Sequence, residues 1–104
     1  MTPLLPEEVK KILPYLRWDY DPVKDDMKAP RDFYYVLINV YEGEVFLDVH
    51  HLQGTRISCV GIINVPVRLL KRAVKEQGGS LRRPGYYLAT KEIRDWVCAY
   101  ASKA

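Results

Sequence analysis

The sequence predicts a single α+β domain over residues 1–104: an N-terminal helix, a three- to four-stranded antiparallel sheet, and two C-terminal helices packed on one face of that sheet. Two observations lead to this fold class. The chain has 104 residues, 48% of them apolar, which suits one globular core. Its patterns are also segregated, since a helical pattern comes first, alternating patterns fill the middle, and helical patterns end the chain.

The N-terminal pattern predicts a helix over about residues 3–16, because its apolar residues recur at the spacing of one helix face. Pro14 should end or kink this helix, since proline has no amide hydrogen to donate. The following segment, 17–32, is predicted to be a long acidic and aromatic loop. We expect its Trp18 and Tyr20 to fold back onto the domain and anchor it.

The middle of the chain predicts a three-stranded antiparallel meander. Residues 33–41 are rich in aromatic and β-branched side chains, residues 44–52 alternate between apolar and polar, and residues 56–64 form a third strand-like run. The Glu42-Gly43 pair and the segment 53–55 supply the two turns.

One polar pair in this meander invites a chemical interpretation. Asp48 and His50 share a strand face, as two metal ligands or an acid–base pair would, whereas His51 points to the other face. The simpler interpretation is a polar strand end that faces solvent. No third ligand or nucleophile accompanies the pair, so we predict no catalytic residues, no metal site and no cofactor. A small metal-dependent nuclease or other enzyme is the weakest of the function hypotheses.

The most informative pattern is a basic stripe on the helix predicted over about residues 66–77, which Gly78 should end. Its cations recur at i, i+3, i+4 and i+7 and so lie within an arc of about 100° opposite an apolar face. The four residues of this basic stripe are Arg68, Lys71, Arg72 and Lys75. An ordinary solvated helix face is the alternative explanation.

A basic turn follows the stripe. Arg82 and Arg83 precede Pro84-Gly85, and the segment 79–90 is predicted to form a hairpin, or a strand after the turn. Tyr86 and Tyr87 should point to opposite sides of that strand, which leaves one ring available for stacking. Residues 65–104 carry nine Lys or Arg and three Asp or Glu, a net charge of +6 that favours an anionic partner.

Residues 65–90 resemble the recognition helix and wing of winged helix-turn-helix proteins, in particular small phage and bacterial replication or regulatory proteins. The resemblance rests on the basic helix ending in glycine and on the GYYLAT strand before a last helix, predicted over about 91–102. It implies DNA binding, with major-groove contacts from the basic stripe and backbone contacts from Arg82 and Arg83.

The leading hypothesis is therefore a small nucleic-acid-binding or regulatory protein without catalysis, which uses the basic stripe, Arg82, Arg83 and Tyr86 on DNA or RNA. The alternative is a protein-interaction module, such as an inhibitor or assembly factor of phage or viral origin, or a homodimer. It would use the acidic loop and the aromatic face of the sheet. No membrane segment is apparent, so we expect a cytoplasmic protein, with Cys59 and Cys98 reduced and buried.

Overall fold

The computed structural model describes residues 2–26 and 29–104, which form an α+β fold of three helices and a mixed five-stranded sheet. The helices are α1 (Pro6–Ile12), α2 (Val67–Glu76) and α3 (Lys91–Ala101), and a 3-10 turn over Leu13–Tyr15 follows α1. The strands are β1 (Leu16–Arg17), β2 (Arg31–Tyr41), β3 (Glu44–Gly54), β4 (Arg56–Ile63) and β5 (Gly85–Tyr87). The predicted α+β class is confirmed.

The antiparallel meander of β2, β3 and β4 is present as predicted, but the predicted strand count was wrong. Strand β1 pairs in parallel with Tyr34 and Tyr35, and β5 pairs antiparallel with Ile38–Val40, so both lie along one edge of β2. The segment after the basic turn is therefore a strand of the main sheet and not a separate hairpin. Strands of two or three residues depend on their partner's backbone, and hydrophobic periodicity does not reveal them.

The N-terminal helix is shorter than predicted. It covers Pro6–Ile12, and the chain leaves α-helical geometry just before Pro14, as the missing amide hydrogen of proline requires. Pro3, predicted to be helical, instead forms a bridge with Ile62 on the outer edge of β4.

The loop predicted over 17–32 is also shorter, because β1 and β2 take its two ends and leave residues 18–30. Met27 and Lys28 lie outside the described residues. Both aromatic anchors fold back as predicted: Trp18 packs against the main core, and the Tyr20 ring lies 4.9 Å from that of Phe33.

The main core lies between one face of the sheet and all three helices, so the two C-terminal helices share a sheet face as predicted. Each large side chain buried here contributes roughly 1.5–3 kcal/mol to stability. Fully buried members of this core include Val9, Val36, Ile38, Leu47, Val49, Leu70, Val74, Ile93 and Val97.

The other sheet face carries a smaller cluster of Tyr35, Leu37 and Leu52, against which Tyr20, Phe33 and Leu88 pack. We call this the open sheet face, since loop and strand side chains rather than a helix cover it.

Two further expectations can be compared with the structure. None of the helices in the described part of the chain is long and apolar enough to cross a membrane. The expectation that both cysteines are buried was wrong: Cys59 and Cys98 are exposed and do not form a disulfide with each other. Cys98 falls on the outward side of α3, next to the buried Val97, and Cys59 lies on the edge strand β4.

Candidate functional site

The basic stripe forms the solvent side of α2. Leu69, Leu70, Ala73 and Val74 are buried against the core, so the helical repeat turns the four cations of the stripe outward. Arg68, Lys71, Arg72 and Lys75 are all exposed. The sequence-predicted stripe is therefore present on α2 and accessible to a partner.

The four cations of the stripe differ in their partners. Nη1 of Arg72 donates to both carboxylate oxygens of Glu92 on α3, at 2.9 and 3.0 Å, so Arg72 links the two C-terminal helices. Among residues 2–26 and 29–104, no carboxylate lies within ion-pairing distance of Arg68, Lys71 or Lys75. The charge of these three residues is therefore left uncompensated by the fold.

The end of α2 holds β5 in place. The side-chain amide of Gln77 donates to the Leu88 carbonyl at 2.8 Å and accepts from the Leu88 amide at 3.1 Å, which imitates a neighbouring strand. Gly78, at φ +75°, ends the helix as predicted. Gly79 lies so close to the Tyr87 ring that a Cβ at this position would overlap it. These contacts fix the geometry of the turn that carries Arg82 and Arg83.

Arg82 and Arg83 are exposed in this turn, directly before β5. The Arg82 amide donates to Oγ of Ser80 at 3.1 Å, which orders the backbone at the start of the turn. Within the described part of the chain, neither arginine has a carboxylate at ion-pairing distance. The structure therefore adds two uncompensated cations at the edge of the sheet.

Tyr86 lies on the opposite side of the sheet from α2. Tyr87 pairs with Ile38 and packs into the main core, so Tyr86, opposite Asn39, projects from the open sheet face. Its side chain is 59% exposed, as stacking requires. The structure thus groups the four stripe residues on α2 but separates Tyr86 from them by the thickness of the sheet.

A cleft of about 460 Å³ lies beside Tyr86, between β5 and the loop after β1. Leu37, Leu88 and Pro22 form apolar walls, and Val23, 91% exposed, stands at the rim. Sequence analysis did not find this cleft, because it arises where a loop residue meets a strand more than 60 positions away.

The Asp48–His50 pair occupies the open sheet face, and the prediction that the two share a face is confirmed. The interpretation as a solvated strand end was wrong for Asp48, which is only 3% exposed. Nδ2 of Asn39 donates to Oδ2 of Asp48 at 3.1 Å, while Nε2 of His50 lies 3.9 Å from that oxygen, beyond hydrogen-bonding distance. Oδ1 of Asp48 and Nε2 of His50 are both buried without a hydrogen-bond partner.

Burial controls the protonation of this pair. It raises the pKa of Asp48 to about 6, against a smaller opposing effect of the Asn39 hydrogen bond, and it lowers the pKa of His50. Both pKa shifts favour the neutral form of the side chain, because burial removes the water that would solvate its charge. Among the described residues, no group of three or more His, Cys, Asp or Glu side chains is placed to hold a metal ion.

Comparison with known proteins adds no family assignment to this geometry. No protein-family model, curated protein or solved structure matches the chain.

Proposed function

We propose that this protein binds nucleic acid, DNA or RNA, through the phosphate backbone and without catalysing a reaction on it. The observation that carries the proposal is the exposed and uncompensated charge of Arg68, Lys71 and Lys75 on one face of α2. Arg82 and Arg83 extend this charge into the turn before β5. The sequence of residues 65–90 resembles a recognition helix and wing, which favours the same proposal and a regulatory role, although the segment that resembles the wing is strand β5 of the main sheet.

The physical reason is counterion release. Cations that are held on one helix face without acidic partners repel each other, at a cost of a few tenths of a kcal/mol for each like pair. A polyphosphate backbone relieves this repulsion and releases its own condensed counterions. The net charge of +6 over residues 65–104 draws such a backbone to this part of the chain.

A salt titration tests the proposal. Contact of four to six phosphates with the protein predicts a slope of log K against log salt of about −4 to −5 for duplex DNA. The variant Arg68→Gln/Lys71→Gln/Lys75→Gln should flatten that slope by about 3, since it removes three contacts. Arg72 is left unchanged, because its replacement would also break the ion pair with Glu92.

The matched control is Lys10→Gln/Lys11→Gln/Arg56→Gln, which removes three exposed cations from α1 and β4. Both triple variants lower the formal net charge from +3 to zero, so they differ only in where the charge was removed. The control should retain the wild-type slope. Equal loss in both variants would show a response to net charge alone, and no salt-sensitive binding by the wild type at low ionic strength would overturn the proposal.

A second candidate, a protein-interaction module or homodimer, is favoured by the outer edge of β4. In the part of the chain that the structure describes, residues 2–4 pair with this edge only at Ile62. Residues 56–60 are exposed beside it, including Ile57 at 41% and Val60 at 39%. Strand edges of this kind pair with strands of other chains.

The acidic loop is a less suitable contact surface for this candidate, because its Trp18 and Tyr20 pack inward against the hydrophobic clusters. Analytical ultracentrifugation of the wild type and of Val60→Lys tests the β4 edge. A wild-type dimer that the lysine variant disrupts would support this candidate. A wild type that remains monomeric across the concentration range would exclude self-association through this edge.

A further inference from the structure

The two surfaces suited to nucleic acid lie on opposite faces of the sheet and meet at its β5 edge. The basic stripe is on the helical layer, whereas Tyr86 projects from the open sheet face. Gln77 follows directly after α2, forms hydrogen bonds with Leu88, and lines the cleft beside Tyr86. The cleft therefore begins where the helix that carries the stripe ends.

The chemistry of the cleft suits a flat, partly polar ring. Tyr86 supplies an exposed aromatic face, and Leu37 and Leu88 supply apolar walls. The exposed Lys24 also lines the cleft, and within the described residues it has no carboxylate at ion-pairing distance. Asp21 lines the cleft as well, and its Oδ1 accepts the Val23 amide at 3.0 Å.

We infer that this cleft takes a base of a single-stranded nucleic acid, stacked on Tyr86, while the backbone of the same strand continues around the β5 edge to the basic stripe. This inference rests on the proposed function and narrows it to single strands as the preferred ligand. Exposed tyrosine rings stack on bases of any identity, so the site should show little sequence preference.

The arrangement favours a single strand over a duplex because of stiffness. The fold is only 24 Å across its shortest axis, whereas the persistence length of a DNA duplex is about 150 base pairs, so a duplex stays nearly straight over the width of the fold. A duplex can therefore lie along the basic stripe but cannot also turn around the sheet edge to reach Tyr86. A single strand bends freely between nucleotides and can expose an unpaired base to the cleft.

The flanking charge favours a nucleotide over an apolar peptide as the occupant. Lys24 lines the cleft, and Arg82 and Arg83 lie three to four residues before Tyr86 along the chain. These three cations outnumber Asp21, the one carboxylate among the described residues that line the cleft, so the surroundings favour a phosphate-bearing ligand over an apolar peptide.

The test measures binding of three probes: single-stranded DNA of about 16 nucleotides, the same backbone without bases, and the corresponding duplex. The wild type should bind the single strand more tightly than either other probe. Tyr86→Thr keeps a residue that favours strands and should weaken single-strand binding by about 5- to 100-fold, leaving the salt slope and duplex binding unchanged. Tyr86→Phe should retain the wild-type affinity.

Tyr15→Thr is the matched control, because Tyr15 is exposed to a similar extent, 61%, but lies in the turn after α1. It should leave all three affinities unchanged. The inference would be overturned if all three probes bound with equal, salt-sensitive affinity and Tyr86→Thr had no effect. That result would leave the proposed function intact. If none of the three probes shows salt-sensitive binding, both the proposed function and this inference are refuted.

Discussion

Replacing Asp48 by asparagine should stabilise the protein at neutral pH. The carboxyl is 3% exposed, and burial raises its pKa from 3.8 to about 6. An acid whose folded-state pKa is raised contributes stability at low pH that is lost as the pH rises through the folded pKa. One pKa unit corresponds to 1.36 kcal/mol, so ionisation of Asp48 costs the folded state about 3 kcal/mol above pH 7.

The substitution Asp48→Asn removes this cost and keeps the shape of the side chain. The introduced amide oxygen can still accept the hydrogen bond from Asn39 in the place of Oδ2, while its nitrogen takes the place of Oδ1, which has no hydrogen-bond partner in the wild type. The free energy of unfolding of Asp48→Asn should therefore exceed that of the wild type. The difference between the two proteins should increase by about 2–3 kcal/mol from pH 4 to pH 7.5.

Urea denaturation of both proteins at several pH values measures this difference directly, and subtraction removes the contribution of the other titrating groups. Asp19→Asn is the control, because Asp19 is exposed and water solvates its carboxylate in the folded and unfolded states alike. Stability curves of Asp48→Asn and the wild type that stay parallel from pH 4 to 7.5 would show that Asp48 is not desolvated in the folded state.

Three further substitutions probe a buried group and two close contacts of the fold. Burial lowers the pKa of His50, so the folded state loses stability as the pH falls below 6.5, the ordinary pKa of histidine. His50→Gln should reduce this loss, measured by urea titrations at pH 7.5 and pH 5. An unchanged loss would contradict the burial of His50. Gly79→Ala places a Cβ against the Tyr87 ring and should lower the free energy of unfolding by about 1–3 kcal/mol; a neutral effect would refute the close approach. Tyr100→Phe removes the 2.7 Å hydrogen bond to the Leu4 carbonyl and should cost about 1 kcal/mol and speed amide exchange near residue 4; unchanged exchange would argue against that contact.

The sequence by itself determined the elements whose physical cause is local. Periodicity predicted α2, α3 and the meander, because an amphipathic repeat has one stable way to bury its apolar side. Pro14 and Gly78 marked two helix ends through their backbone chemistry. The exposure of the basic stripe followed for the same reason, since four apolar residues on the other side of α2 had to face the core.

Tertiary structure decided whatever depended on residues distant in the chain. The sequence cannot show that Glu92 pairs with Arg72, because the contact requires α3 to pack beside α2. It also cannot show that Asp48 is buried, since alternation places a residue on a sheet face but does not reveal what covers that face. Tyr86 came to lie opposite the basic stripe because β5 pairs with β2, and backbone pairing across about 47 residues leaves no periodic signal in the sequence.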